Sequence, residues 1–398
     1  MTQEINWTMN HLPAGADPYT ALMNDKEVQK ARSFHVSFPQ YEITPLVSLE
    51  QMAAHLGLGS ISIKDESYRF GLNAFKVLGG SYAMSRYIAA ETGHGKEALP
   101  YDVLTAPALQ KQLGQAVFFS ATDGNHGRGI AWSARQLGQK AVIFMPQGTT
   151  RARLANIQAE GADVTIEDMN YDACVRLAAA EAAKLPHGVI VQDTAWEGYE
   201  EIPSWIMQGY GTMADEANEQ CGQRPTHVFV QAGVGSLAGA VAGYFANRYA
   251  DHPPILVVVE AQAAACLYKS AAAGDGRPRI IEGDMPTIMA GLACGEPNRI
   301  AWEILRRHAD CFIAMDDHAA ARGMRMLAAP LKGDSPITSG ESGASTFGAL
   351  AAIMQDDDNL ALRQALHLDT HSHVLLFSTE GNTDPERYRR IVWEGMDK

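Results

Sequence analysis

Short apolar and β-branched runs recur along the chain, and helix-length stretches separate them. They predict strands at 61–64, 117–120, 141–145, 163–166, 189–192, 227–231, 255–260, 311–314 and 374–378. Most are bounded by Gly, Pro or Asn. Strands alternating with helices predict an α/β protein whose mostly parallel sheets are covered by helices on both faces, with right-handed crossovers. One helix is marked at both ends. Asp123-Gly124-Asn125-His126 opens it, 128–137 continue it, and Gly138 stops it. A second begins after the turn Gly233-Val234-Gly235, and the Gly/Ala-rich stretch 233–246 reads as buried. Segments 98–113, 274–286 and 333–344 read as loops. The last is long and polar, a kind of segment that often carries function.

At 398 residues the chain exceeds one compact core and predicts two domains. Its 46% apolar content is ordinary for a globular protein. The formal net charge is −14, from 32 basic and 46 acidic side chains, which argues against a nucleic-acid partner, since phosphate backbones need a basic face. No apolar run approaches membrane-spanning length, and the first six residues lack the charged-then-apolar order of a secretory leader. The five cysteines form no Cys-x-x-Cys pair, so reduced thiols and a cytoplasmic location are expected. His367, His371 and His373 are the nearest thing to a metal cluster. They read as a solvated helix end, and no metal site is expected.

Lys76 is the first candidate for chemistry. It sits in Gly71-Leu72-Asn73-Ala74-Phe75-Lys76-Val77-Leu78-Gly79-Gly80, among small and apolar residues. Apolar surroundings lower a lysine pKa and leave a neutral, nucleophilic amine. Such an amine condenses with aldehydes, of which pyridoxal 5′-phosphate (PLP) is the common biological case. Alone, Lys76 would pass for a surface lysine at a helix start. The second candidate is Gln231-Ala232-Gly233-Val234-Gly235-Ser236-Leu237, a strand-to-helix turn whose N–H groups and helix N-terminus suit a phosphate. Gly233, Gly235 and Ala238 also match a dinucleotide fingerprint, with Glu260 placed where a ribose-binding acid would sit. That nicotinamide reading leaves Lys76 and the Asp123 segment without a role, whereas one phosphate ester uses all three.

Taken in order, Ala74-Phe75-Lys76, Thr122-Asp123-Gly124-Asn125-His126, Gly233-Val234-Gly235-Ser236-Leu237 and Phe377-Ser378-Thr379 resemble the motifs of fold type II, or tryptophan-synthase-β-like, PLP enzymes. Thr44-Pro45-Leu46 fits the same pattern. Further strings resemble the diaminopropionate ammonia-lyase family over nearly the full length. They are Lys64-Asp65-Glu66-Ser67, Asp123-Gly124-Asn125-His126-Gly127-Arg128-Gly129, Gln192-Asp193-Thr194-Ala195-Trp196-Glu197-Gly198-Tyr199, Met289-Ala290-Gly291-Leu292-Ala293-Cys294-Gly295-Glu296-Pro297 and Ser339-Gly340-Glu341-Ser342-Gly343-Ala344. The resemblance implies α,β-elimination of 2,3-diaminopropionate to pyruvate and two ammonia, in a homodimer acting on a small amino acid. Both D- and L-isomers are expected, because Lys76 reaches one face of the substrate, Asp123 would serve the other for the D-form, and Asp193 is the fallback for the L-form. Because Lys76 and the glycine turn lie on either side of the span between them, a large PLP-binding domain from 1–82 and 194–398 is expected, with a small domain 83–193 inserted in it and PLP between the two.

The resemblance also implies roles. Lys76 holds the PLP aldehyde as a Schiff base, Gly233, Val234, Gly235, Ser236 and Leu237 hold the phosphate, and Asn125 reaches the ring 3′-oxygen. Ser378 is the preferred partner of the pyridine nitrogen, with Thr379 second. Thr122, Asp123, Gly124 and His126 form the substrate loop. A hydroxyl opposite the ring nitrogen makes a weaker electron sink than a carboxylate would allow, which favours prompt loss of a β-substituent over transamination. Asp123 stands where the dehydratases carry a hydroxyl. A carboxylate there attracts a β-ammonium and repels another carboxylate. As a plain helix cap it would also be unremarkable. Asp193, at a strand end, is a second acid or base, and Glu341 lines the ring or holds a cation. A serine/threonine or 3-hydroxyamino-acid dehydratase is the alternative within the class, and a nicotinamide-dependent oxidoreductase the alternative outside it.

Overall fold

The computed structural model describes residues 5–12 and 17–397. The reading of the first six residues therefore falls mainly on positions outside those described. The strands are β1 (Ile5–Met9), β2 (Leu46–Ser48), β3 (Ser60–Asp65), β4 (Val117–Ala121), β5 (Lys140–Met145), β6 (Asp163–Ile166), β7 (Gly188–Ile190), β8 (His227–Gln231), β9 (Ile255–Ala261), β10 (Cys311–Met315) and β11 (His373–Ser378). They form a seven-stranded sheet of order β1-β10-β9-β8-β11-β3-β2 and a four-stranded sheet of order β6-β5-β4-β7. Every predicted strand is present, with ends moved by one or two residues. The small sheet is wholly parallel. The large sheet is parallel except for its edges, where β1 pairs antiparallel with β10 and β2 with β3.

Side-chain alternation makes each central strand serve two cores. Val228 and Val230 of β8 face one apolar cluster and Phe229 the other. Leu375 and Phe377 of β11 divide from Val374 and Leu376 in the same way. Sheets covered on both faces need continuous apolar runs, which is why these strands stand out in the sequence. The cluster behind β8 continues to Phe118 and Ile143 of the small sheet, through the helices Val77–Glu91, Asn125–Gln136 and Glu201–Gln220. Glycine lets these helices close on one another. A Cβ on Gly79 would lie 2.6 Å from Ile206 and Tyr210, and one on Gly129 2.9 Å from the Val77 backbone. Both contacts sit directly behind Lys76.

One expectation changes. Segment 98–113 is not a plain loop but carries the short helices Tyr101–Leu104 and Pro107–Leu113, the second with proline in its first turn. Its buried residues Leu104, Leu109 and Leu113 face the core, but the intervening polar residues hide their periodicity. The helix opened by the Asp123 segment is not capped by Asp123. Instead the Thr122 hydroxyl accepts the N–H groups of Gly124 and Gly127, at 2.9 and 3.0 Å.

Candidate active site

The C-terminal ends of β3, β8 and β11 in the large sheet and of β4 and β7 in the small sheet converge on one cleft, the place where open α/β sheets put ligands. The segment carrying Lys76 is stitched to the segment after β11. Phe75 N–H donates to the Thr379 carbonyl at 3.1 Å, and Gly381 N–H to that of Asn73 at 3.0 Å. Asn73 adopts φ 61°, a left-handed conformation that asparagine tolerates. Upstream, Lys64 and Arg69 meet Glu216 at 2.8 and 2.7 Å, and Arg69 meets Glu66 at 2.8 Å, all four buried. These charges neutralise one another and anchor the stretch leading to Lys76.

The Lys76 amine lies 2.7 Å from Asp193. This corrects the expectation of a lowered lysine pKa. Burial does push it down, but the Asp193 carboxylate outweighs burial and holds it well above the ordinary lysine value. Reciprocally, burial raises the Asp193 carboxyl, but the charges of Lys76 and His126 bring it down to about 2. Before a cofactor engages it, Lys76 is therefore an ammonium locked in an ion pair. The partner lies 117 residues away in sequence.

The glycine turn opens the helix Ser236–Arg248, with Gly235 at φ 99°. From Gly233 to Ala238, no backbone N–H reaches a protein acceptor among the described residues; the first bond of the helix runs from Gly239 to Gly235. These spare donors line the same cleft as Lys76. Asn298 fixes the turn from behind. Its N–H donates to the Val234 carbonyl at 2.7 Å, and its side chain donates to Ser236 Oγ and the Asp193 carbonyl at 2.8 Å. Asn298 escaped the sequence reading, although its place before the helix Arg299–His308, which it caps, is a recognisable signal.

The two terminal hydroxyls part company. Thr379 lines the cleft, whereas Ser378 turns away and donates to Ser339 Oγ at 2.8 Å. That geometry favours Thr379 over Ser378. Asn125 lines the cleft and donates to Glu380, whose other oxygen accepts Ser342 N–H at 3.0 Å. Gly124 follows at the turn into the helix, while Thr122 and His126 lie buried behind the loop, His126 bonded to the Val191 carbonyl at 2.9 Å. Asp123 borders a wider opening. It pairs with Arg153 at 2.8 Å. A Cβ on Gly291, which lines the Lys76 cleft, would stand 4.0 Å from its carboxylate. The opening and the cleft therefore meet between Asp123 and Cys294, which borders both. Glu341 is buried, 3.4 Å from Arg387, and pushed up to about 6 by burial. It borders neither space, so it does not stand where a ring would lie.

Other readings lose their footing. Glu260 does not face a ribose: it is buried and accepts the N–H groups of Leu267 and Tyr268 at 2.9 and 2.6 Å, at the start of the helix Cys266–Ala272. Among the described residues no group of His, Cys, Asp and Glu is arranged to hold a metal, and no helix is long and apolar enough to cross a membrane. His371 is exposed and His373 bonds Ser60 at 2.9 Å. What the cleft does offer is an amine, a cradle of unpaired N–H groups and a hydroxyl, together with a buried, unpartnered Tyr210 hydroxyl and Gln231 Oε1. Those groups fit PLP: the amine meets its aldehyde, the cradle its phosphate and the hydroxyl its ring nitrogen.

Comparison with known proteins agrees. The pyridoxal-phosphate dependent enzyme family matches residues 38–365. The diaminopropionate ammonia-lyase of Salmonella typhimurium is 50% identical over 386 residues, 96% of this chain and 95% of the relative. Two solved structures of the Escherichia coli diaminopropionate ammonia lyase are each 44% identical, covering 100% of this chain and 98% of theirs. One holds an aminoacrylate-PLP azomethine reaction intermediate (TM-score 0.89), and the other is a complex with D-serine (TM-score 0.91).

Proposed function

The chain belongs to the diaminopropionate ammonia-lyase family of pyridoxal-phosphate dependent enzymes, and we propose that it cleaves both D- and L-2,3-diaminopropionate, with one water, to pyruvate and two ammonia. The observation that carries this reading is a pair of carboxylates, Asp193 against Lys76 and Asp123 where the wider opening meets the cleft. Asp123 and Asp193 leave the C-terminal ends of β4 and β7, adjacent parallel strands of the small sheet, while Lys76 belongs to the segment stitched to the large one. A site built to accept a second ammonium on the substrate needs carboxylates, and a hydroxyamino acid does not.

Bound in the cleft, PLP supplies an electron sink for the substrate α-carbon. Lys76 would provide the amine that holds the cofactor and, when free of it, a base on its own side. Asp193, without its ammonium partner in a loaded site, would be free to accept a proton on that side. Asp123, held by Arg153, removes the α-proton of the D-isomer, and the Lys76–Asp193 side serves the L-isomer. The N–H groups of 233–237 would hold the phosphate, Asn125 would stand near the ring oxygen, and the loop carrying Asp123 would border the substrate. The Thr379 hydroxyl would be the partner of the ring nitrogen. A hydroxyl there leaves the sink weak enough that the β-substituent departs first.

The test is stoichiometric. Diaminopropionate of either hand should yield two ammonia per pyruvate, measured together in one assay. A ratio near one would mean a different reaction. Three further parts of the reading are proposals of the same kind: domains of 1–82 with 194–398 and of 83–193, the first boundary lying within the helix Val77–Glu91; a homodimer, from the family resemblance; and a cytoplasmic setting, supported by five free cysteines.

A further inference from the structure

Gln231 ends β8 immediately before the glycine turn, and it is buried. Its Nε2 lies 3.0 Å from the Ser342 carbonyl, 3.0 Å from the Phe377 carbonyl and 2.9 Å from Thr379 Oγ1. Two carbonyl oxygens, which only accept, settle the orientation of the amide. Flipping it would set Oε1 against both carbonyls and leave only the Thr379 hydroxyl able to bond it. Its two hydrogens are shared among these three acceptors, so the donor end of the amide faces Thr379 Oγ1 and the hydroxyl hydrogen meets no lone pair on that side. A hydroxyl has one hydrogen, and this one cannot point at another donor. No protein acceptor takes it among the described residues, and Thr379 borders the cleft.

We propose that Gln231 is a positioning residue that turns the Thr379 hydroxyl into a hydrogen-bond donor toward the cleft. It thereby requires the cofactor ring nitrogen to offer a lone pair there rather than a proton. The strand that leads into the phosphate turn so also sets the electronic state of the ring, through one amide bridging the ends of β8 and β11. The inference rests on the reading above that Thr379, not Ser378, faces that nitrogen. With a hydrocarbon in place of the amide, the hydroxyl loses its fixed direction and the two carbonyls lose their donor.

The holoenzyme loaded with cofactor labelled at the ring nitrogen tests this by nitrogen NMR. The wild type should show a neutral nitrogen accepting a hydrogen bond; a protonated nitrogen overturns the proposal without any variant. Gln231→Leu and Gln231→Met should both displace the signal to where Thr379→Val places it and raise the cofactor dissociation constant about tenfold. Thr379→Ser should keep the wild-type signal. If Thr379→Val moves the signal and the Gln231 variants do not, the Gln231 inference fails and the function stands. If instead Ser378→Ala moves it and Thr379→Val does not, the assignment of Thr379 fails and this inference falls with it.

Discussion

Asp193 and Asp123 leave neighbouring strands of one sheet, yet they meet the cleft in different states. The Asp193 side chain is 3% exposed and bound to the Lys76 ammonium; that of Asp123 is 21% exposed and bound to Arg153 at the edge of the wide opening. Lys76 must leave its pair when a cofactor takes the amine, so Asp193 becomes a free base only in the loaded site. Arg153 stays where it is, since its Nη1 also holds the Asp123 backbone carbonyl at 3.3 Å. One carboxylate is thus switched by the chemistry of the site, and the other is fixed by the fold.

Breaking the switched side should have the largest effect. Lys76→Ala should abolish turnover of both isomers and strand a buried carboxylate, destabilising the cofactor-free protein by about 3–5 kcal/mol, read from denaturant unfolding. Asp193→Asn in the same background should recover much of that loss; failure to recover would mean that the pair is not what holds this region. On the fixed side, Arg153→Lys keeps the charge but removes the guanidinium Nη1 that holds both the carboxylate and the carbonyl of Asp123. Turnover of the D-isomer should fall about tenfold, a loss of roughly one charge-assisted hydrogen bond. Turnover of the L-isomer should hardly change, and an equal fall in both would show Arg153 to be merely structural.

The smallest effect concerns the support behind Lys76. His35 is fully buried between Thr212 Oγ1, at 2.8 Å, and the Leu78 carbonyl, at 2.9 Å. Burial keeps it neutral and lowers it to about 3. The unfolded chain takes up that proton near pH 6.5, so the stability from neutral His35 is complete above that pH and is lost as pH falls toward 3. Between pH 6.5 and 5 the loss from this group is about 2 kcal/mol. His35→Gln should flatten that part of the stability-versus-pH curve without changing the preference between isomers. An unchanged slope would mean that His35 is not neutral in the fold.

Much of this arrangement could be read from the chain. The parallel strands announce themselves because both faces are buried. The antiparallel edges β1 and β2 do not: β1 is half-buried throughout and β2 has three residues. Local motifs led to Lys76, Asp123, the glycine turn and the terminal hydroxyls. What was not legible is pairing at a distance. The ammonium state of Lys76 depends on Asp193, the orientation of Asp123 on Arg153, and the choice between Ser378 and Thr379 on Ser339 and Gln231. None of these partners is a neighbour in sequence or periodicity, so no local pattern carries them.

The central claim is that the fixed and switched carboxylates serve opposite hands of one substrate. The direct measurement is kcat/KM for D- and L-diaminopropionate in Asp123→Asn and Asp193→Asn, with cofactor loading checked in each. Asp123→Asn should lower the D-value by about 10²–10⁴-fold, the range for loss of a general base, and the L-value far less. Asp193→Asn should do the reverse. Equal losses for both isomers in Asp123→Asn would show that Asp123 holds the common β-ammonium, and the account of two bases would be wrong.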